Sequence, residues 1–192
     1  MVRLYNAIGP AYGALPVDSS EFDELRKLGY KKAMKSKKIR FRMLPKLVLH
    51  ISKEMKQHMG EVKPCDGVVP MLYDLQKRGV SLGILTSNNA ALVQDFLVEN
   101  NFPDFDFVVS EKTLFGKEKA LKRIMKRHRL EKEQVIYVGD EPRDVISSKR
   151  AGVKVFGVTW GIGGKEGLKK TPPDRLADTA DELAAHIIES LH

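Results

Sequence analysis

A chain of 192 residues, 42% apolar and 30% charged, can bury one sizeable core and is too apolar for wholesale disorder. Its single cysteine, Cys65, excludes an internal disulfide and a cysteine-rich zinc site, and no apolar run reaches the roughly 18 to 20 residues of a membrane span. The net charge of +8 is uneven: residues 1–64 carry 14 Lys and Arg against 6 Asp and Glu, whereas residues 65–192 carry 19 of each.

Residues 1–60 are expected to be helical. Phe22, Leu25 and Leu28 recur at helical spacing after the cap-like Asp18-Ser19-Ser20, and Leu44, Leu47, Val48, Ile51, Met55 and Met59 mark one face of a longer helix that Gly60 and Pro64 stop. Between them lies Lys31-Lys-Ala-Met-Lys-Ser-Lys-Lys-Ile-Arg-Phe-Arg42, which reads as a solvated helical face able to attract anions. Met1-Val-Arg-Leu-Tyr-Asn does not open the long apolar block of a signal peptide, so the expected compartment is the cytoplasm.

From Pro64 the pattern changes to helices alternating with short apolar strands. Helices are expected over 69–78, 90–100, 117–129 and 145–150, and Thr179-Ala-Asp-Glu182 is a capping box for a last one. Strands are expected over 80–85, 105–109, 135–138 and 154–158. This alternation specifies an α/β fold built on a parallel sheet.

In such sheets chemistry collects just beyond the carboxyl ends of the strands. After Leu85 come Thr86, Ser87, Asn88 and Asn89, next to a helix N-terminus that suits an anionic oxygen. After Val138 come Gly139, Asp140, Glu141, Pro142 and Asp144. Pro142 fits an early helix position, which brings Asp144 into the first turn close to Asp140. Two such carboxylates either cap a helix or bind a hard cation such as Mg2+. The loop Gly161-Ile-Gly-Gly-Lys-Glu-Gly167 lacks the third glycine of a dinucleotide fingerprint, Glu166 standing in its place, and reads as structural.

Taken in order, Ser81-Leu-Gly-Ile-Leu-Thr-Ser-Asn88, Phe115-Gly-Lys117, Tyr137-Val-Gly-Asp-Glu-Pro-Arg-Asp144 and Ala151-Gly-Val153 resemble the haloacid dehalogenase-like hydrolases, in their phosphoglycolate-phosphatase-like branch. Gly157-Val-Thr-Trp-Gly161 and Pro173-Asp174 add to the resemblance, which spans residues 64–192. It implies a Rossmann-like parallel sheet with helices on both faces over 64–192 and a small helical cap over 1–63. It also implies a Mg2+-dependent phosphatase of small phosphate esters working through an aspartyl-phosphate. In that scheme Ser87 and the Asn88 backbone bind the phosphoryl group, Lys117 neutralises charge, Asp140 ligates Mg2+ and Asp144 supports the metal shell.

Members of the family open with a strand ending in Asp-x-Asp-Gly-Thr, whose first Asp is the nucleophile. The 192 residues contain no such motif: Asp18 follows no apolar strand, and Cys65-Asp-Gly-Val68 occupies a linker position. The absent strand belongs between those at 80–85 and 135–138, so the chain is expected to be incomplete at its N-terminus. The alternative is a non-catalytic relic that binds phosphate ligands, nucleic acid or a protein partner through residues 31–42. Dehalogenation is a third reading. Substrate and oligomeric state are not encoded in any motif.

Overall fold

Two aspartates set the register of the strands they precede. In this computed structural model, which describes residues 2–18, 20–21, 24–25, 35–43, 46–47, 50, 53–54, 62–111, 116–161 and 163–191, Asp106 donates its N–H to the Leu82 carbonyl and accepts the Leu82 N–H on its carboxylate, both at 2.8 Å. The ladder therefore starts at Gly83, three residues into the apolar run, pairing β1 (Gly83–Thr86) in parallel with β2 (Phe107–Ser110). Asp174 repeats the device with Val155, at 2.8 and 2.7 Å, and leads into a three-residue strand, Arg175–Ala177.

That strand is the third member of a second parallel sheet. Its order is β3 (Ile136–Gly139), β4 (Lys154–Val158), β5 (Arg175–Ala177). Helix α2 (Val68–Lys77) precedes β1, and α3 (Ala90–Glu99), α4 (Lys117–His128), α5 (Pro142–Ala151), α6 (Gly164–Lys169) and α7 (Ala180–Glu189) each follow a strand, with α1 (Val2–Ile8) near the start of the chain. The β4 side chains explain why it is the apolar centre. Phe156 and Val158 pack against Met71 and Leu75 of α2 and Leu183 and Ile187 of α7, whereas Val155 packs against Val145 of α5 and Leu168 of α6. Helices thus cover both faces of this sheet, as a buried parallel strand requires.

The two sheets do not pair with each other. β1 bonds only to β2, and β3 only to β4, so each has one unpaired edge among the described residues. Leu121 of α4 gathers Leu85 from β1 together with Val135 and Tyr137 from around β3 into one apolar cluster. Val138 in β3 is 39% exposed, although interior parallel strands are normally buried.

By internal packing the chain divides into two units, Met1–Val62 and Lys63–His192. In the first, the Asn6 side chain both donates to the Val17 carbonyl and accepts its N–H, each at 2.7 Å. Leu47 is buried. Lys37 departs from the solvated face expected for the basic stretch: it is 8% exposed, donating to Glu21 at 2.7 Å and to the Pro16 carbonyl at 2.9 Å. Phe22, Leu28, Leu44, Val48, Ile51, Met55, Met59 and basic residues 31–34 lie outside the described residues.

Candidate active site

β3 ends at Gly139, and the chain turns directly into α5 with Pro142 at its first position and Asp144 at its third. A proline there loses no hydrogen bond the helix could have made. Asp144 is 2% exposed and folds back under the strand end, where its Oδ2 accepts the Glu141 N–H at 3.3 Å. A Cβ on residue 139 would stand 2.6 Å from the Asp144 Cβ, so the strand must end in glycine.

Lys117 is the first residue of α4, after Gly116. Its Nζ donates to Asp144 Oδ1 at 2.6 Å and to the Tyr137 phenol oxygen at 2.9 Å. Three elements thus meet at one ammonium, which spends two of its three N–H donors on Tyr137 and Asp144. Burial works against the lysine charge, but Tyr137 and Asp144 outweigh it through charge and hydrogen bonding, and the Lys117 pKa lies above the ordinary lysine value. Burial likewise raises the Tyr137 pKa, the Asp144 charge adding to it and Lys117 opposing. At neutral pH the group is therefore an ammonium bonded to a neutral phenol.

Asp140, half-buried, lies under the loop that follows β4. Its Oδ2 accepts the Gly163 N–H at 3.4 Å. A Cβ on Gly161 would come within 2.2 Å of the Asp140 carboxylate, and one on Gly163 within 2.0 Å of its backbone carbonyl. These glycines, read from the sequence as structural, allow a close approach to Asp140. Glu141 pairs with Arg143, and burial raises its pKa against the pull of that arginine.

Ser87 and Asn88 follow β1, both exposed. The Asn88 N–H donates to Thr86 Oγ1 at 3.0 Å, its carbonyl accepts the Ser110 hydroxyl at 2.7 Å, and Asn89 caps α3 by accepting the Ala91 N–H. Lys117 and Asp144 are thus brought into contact, with Asp140 four residues before Asp144 on the same turn. No hydrogen bond or ion pair links Ser87 or Asn88 to those three among the described residues. Tyr137 was not singled out in the sequence, yet a hydroxyl inside Val135-Ile-Tyr-Val138 has to find a partner once buried.

Among the described residues no three His, Cys, Asp or Glu side chains cluster as a ready-made metal cage. Both Asp144 oxygens are engaged, one by Lys117 and the other by the Glu141 N–H. Asp140 offers the oxygen chemistry of a Mg2+ ligand. Such an ion is commonly held by one or two carboxylates, with water and phosphate oxygens completing its octahedron.

The sequence model of the haloacid dehalogenase-like hydrolases matches residues 1–158. The chain belongs to that family. Among characterised relatives of these haloacid dehalogenase-like hydrolases, the phosphoglycolate phosphatase of Synechococcus elongatus is 27% identical over 184 residues, covering 95% of this chain and 87% of its own. That of Vibrio vulnificus is 28% identical over 123 residues, 62% of this chain, which spans about half (54%) of the relative's length. In fold, the chain is similar to a protein described as a predicted phosphatase from Clostridium acetobutylicum, with a TM-score of 0.77 at 21% identity over 98% of this chain and 90% of that one. The α/β fold with parallel strands is the fold of this family. No helix among the described residues is long and apolar enough to cross a membrane.

Proposed function

We propose that this haloacid dehalogenase-like hydrolase is a Mg2+-dependent phosphatase of small phosphate esters, with phosphoglycolate as the first substrate to test. The observation that carries the proposal is the Lys117 ammonium, fixed at 2.6 Å from buried Asp144, four residues after Asp140, and held protonated there. Phosphoryl transfer asks a protein chiefly to position the phosphate and to meet its developing charge with preorganised donors.

In this reading the third Lys117 N–H meets a phosphoryl oxygen, and Asp144 and Tyr137 keep the ammonium from swinging away. The exposed Ser87 hydroxyl, ahead of the N-terminus of α3, receives a second oxygen, and the Asn88 N–H, which donates to Thr86 Oγ1 here, would exchange that bond for a third. Asp140 would hold Mg2+, which supplies Lewis-acid neutralisation of phosphate charge when bound. The covalent step, in which a carboxylate oxygen attacks phosphorus as the ester oxygen leaves, needs an aspartate absent from the 192 residues in any Asp-x-Asp-Gly-Thr motif. The unpaired edges of β1 and β3 support the view that a further strand carrying it belongs between them.

The test is steady-state hydrolysis of phosphoglycolate and other small phosphate esters by the protein expressed from a reading frame extended upstream. Ser87→Ala should raise KM, and Lys117→Ala should lower kcat by roughly a hundredfold or more, as for loss of a preorganised charge donor. Turnover indifferent to Lys117→Ala, or an upstream frame with a stop codon and no such motif, contradicts the proposal.

A further inference from the structure

The outer face of α4 carries more positive charge than the helix itself can use. Ala120, Leu121 and Ile124 are buried, which leaves Lys119, Lys122, Arg123, Lys126 and Arg127 exposed along about 12 Å of helix, with Arg129 just beyond its end. Cations in the last turn complement the helix dipole, but Lys119, Lys122 and Arg123 sit before the last turn, where the dipole gives them no support. Lys119 has cations at both i+3 and i+4, as does Arg123, and Lys122 has Lys126 at i+4, an unfavourable arrangement on an isolated helix.

Few acids answer this charge. Lys122 pairs with Glu118 at 2.8 Å and Arg123 with Glu111 at 2.7 Å. Glu118 also feels Arg150 of the adjoining α5 and Lys119, so cations surround a single carboxylate. Lys119, Lys126, Arg127, Arg129 and Arg150 have no ion-pair partner among the described residues.

We infer that this face binds the phosphate backbone of a nucleic acid. Its charges are spread along the helix rather than gathered in a pocket, which suits a repeating polyanion better than one small phosphate. A membrane surface is disfavoured, because the apolar side of α4 is consumed by the core and no large exposed hydrophobic residue lies on the helix. The one exposed ring on α4, His128, is already packed 4.7 Å from Phe107, so the helix offers no row of aromatic rings for stacking bases. Binding should therefore be indifferent to sequence and steeply dependent on salt. This differs from a nucleic-acid role for residues 31–42, where Lys37 is buried against Glu21.

The experiment is fluorescence anisotropy of a labelled single-stranded RNA of about 20 nucleotides with the full chain across a NaCl series. The affinity should fall with salt with a log–log slope near −3, as for about four neutralised phosphates. Lys119→Ser/Lys126→Ser/Arg127→Ser, all exposed positions without ion pairs, should weaken binding roughly tenfold or more and flatten the slope by about two. Lys35→Ser/Lys38→Ser/Arg40→Ser, equal in charge, should change it less than about twofold. Absence of RNA binding at low salt, equal losses in the two variants, an unaffected helix variant, or preference for phosphatidylserine vesicles over RNA would overturn the inference.

Discussion

Lys117 illustrates how a residue with an ordinary sequence context acquires a particular role. Two neighbours hold it, and one of them, Asp144, is almost wholly buried. Removing only the cation leaves a carboxylate without its counter-charge, so Lys117→Met should cost about 3–5 kcal/mol of folding stability. Combining it with Asp144→Asn should recover most of that loss, which urea denaturation of the single and double variants will measure. The same group sets an alkaline limit. Lys117 and Tyr137 both have folded-state pKa values raised above their ordinary ones, so the native state retains protons that the unfolded chain releases. Their contribution to stability is present in full through neutral pH and is lost as pH climbs past about 10. Tyr137→Phe should lower stability at neutral pH by about 1 kcal/mol and make the alkaline fall shallower. An unchanged alkaline profile in Tyr137→Phe and Lys117→Met would show that other groups set it.

At the scale of elements, apolar runs between turn residues located the main strands and helices, and Lys154–Val158 coincides with its apolar run. The details that shifted have local causes. β1 begins at Gly83 instead of Val80 because the Asp106 carboxylate takes the Leu82 N–H, and the Phe107 ring occupies the space where a residue 83 side chain would sit. β5 is too short to alternate, and it follows Pro172-Pro173, which reads as loop. α6 sits in a glycine-rich run that gives no helical period. Neither spacing nor composition announced that Asp106 and Asp174 would clamp the strand before them, since each bond joins residues about 20 positions apart. Asp174→Ala should cost about 1–3 kcal/mol, the range for a hydrogen bond to a charged group, read as a lower urea midpoint at unchanged slope. The acidic pair of the candidate site was legible as a pair. That Asp144 would face Lys117 while Asp140 lies under the Gly161–Gly163 loop depends on how α4, α5 and the post-β4 loop meet, which no local pattern carries.

At the scale of the whole molecule, the parallel architecture is split into a two-stranded and a three-stranded sheet. Among the described residues β1 and β3 each leave one edge without ladder partners, so the region between them is held by fewer hydrogen bonds than β4, which is paired on both sides. Amide exchange should accordingly be faster on average in Gly83–Thr86 and Ile136–Gly139 than in Lys154–Val158. Equal protection would mean that the edges are paired in solution. An added strand bearing the nucleophilic aspartate would close that gap and complete the chemistry proposed for Lys117 and Asp140. The most direct measurement is Mg2+-dependent release of p-nitrophenol from p-nitrophenyl phosphate by the upstream-extended protein and its Asp140→Asn variant. The account predicts turnover that requires Mg2+, disappears with chelator and falls by roughly a hundredfold or more in Asp140→Asn; turnover without Mg2+, no turnover at all, or an unaffected Asp140→Asn would contradict it.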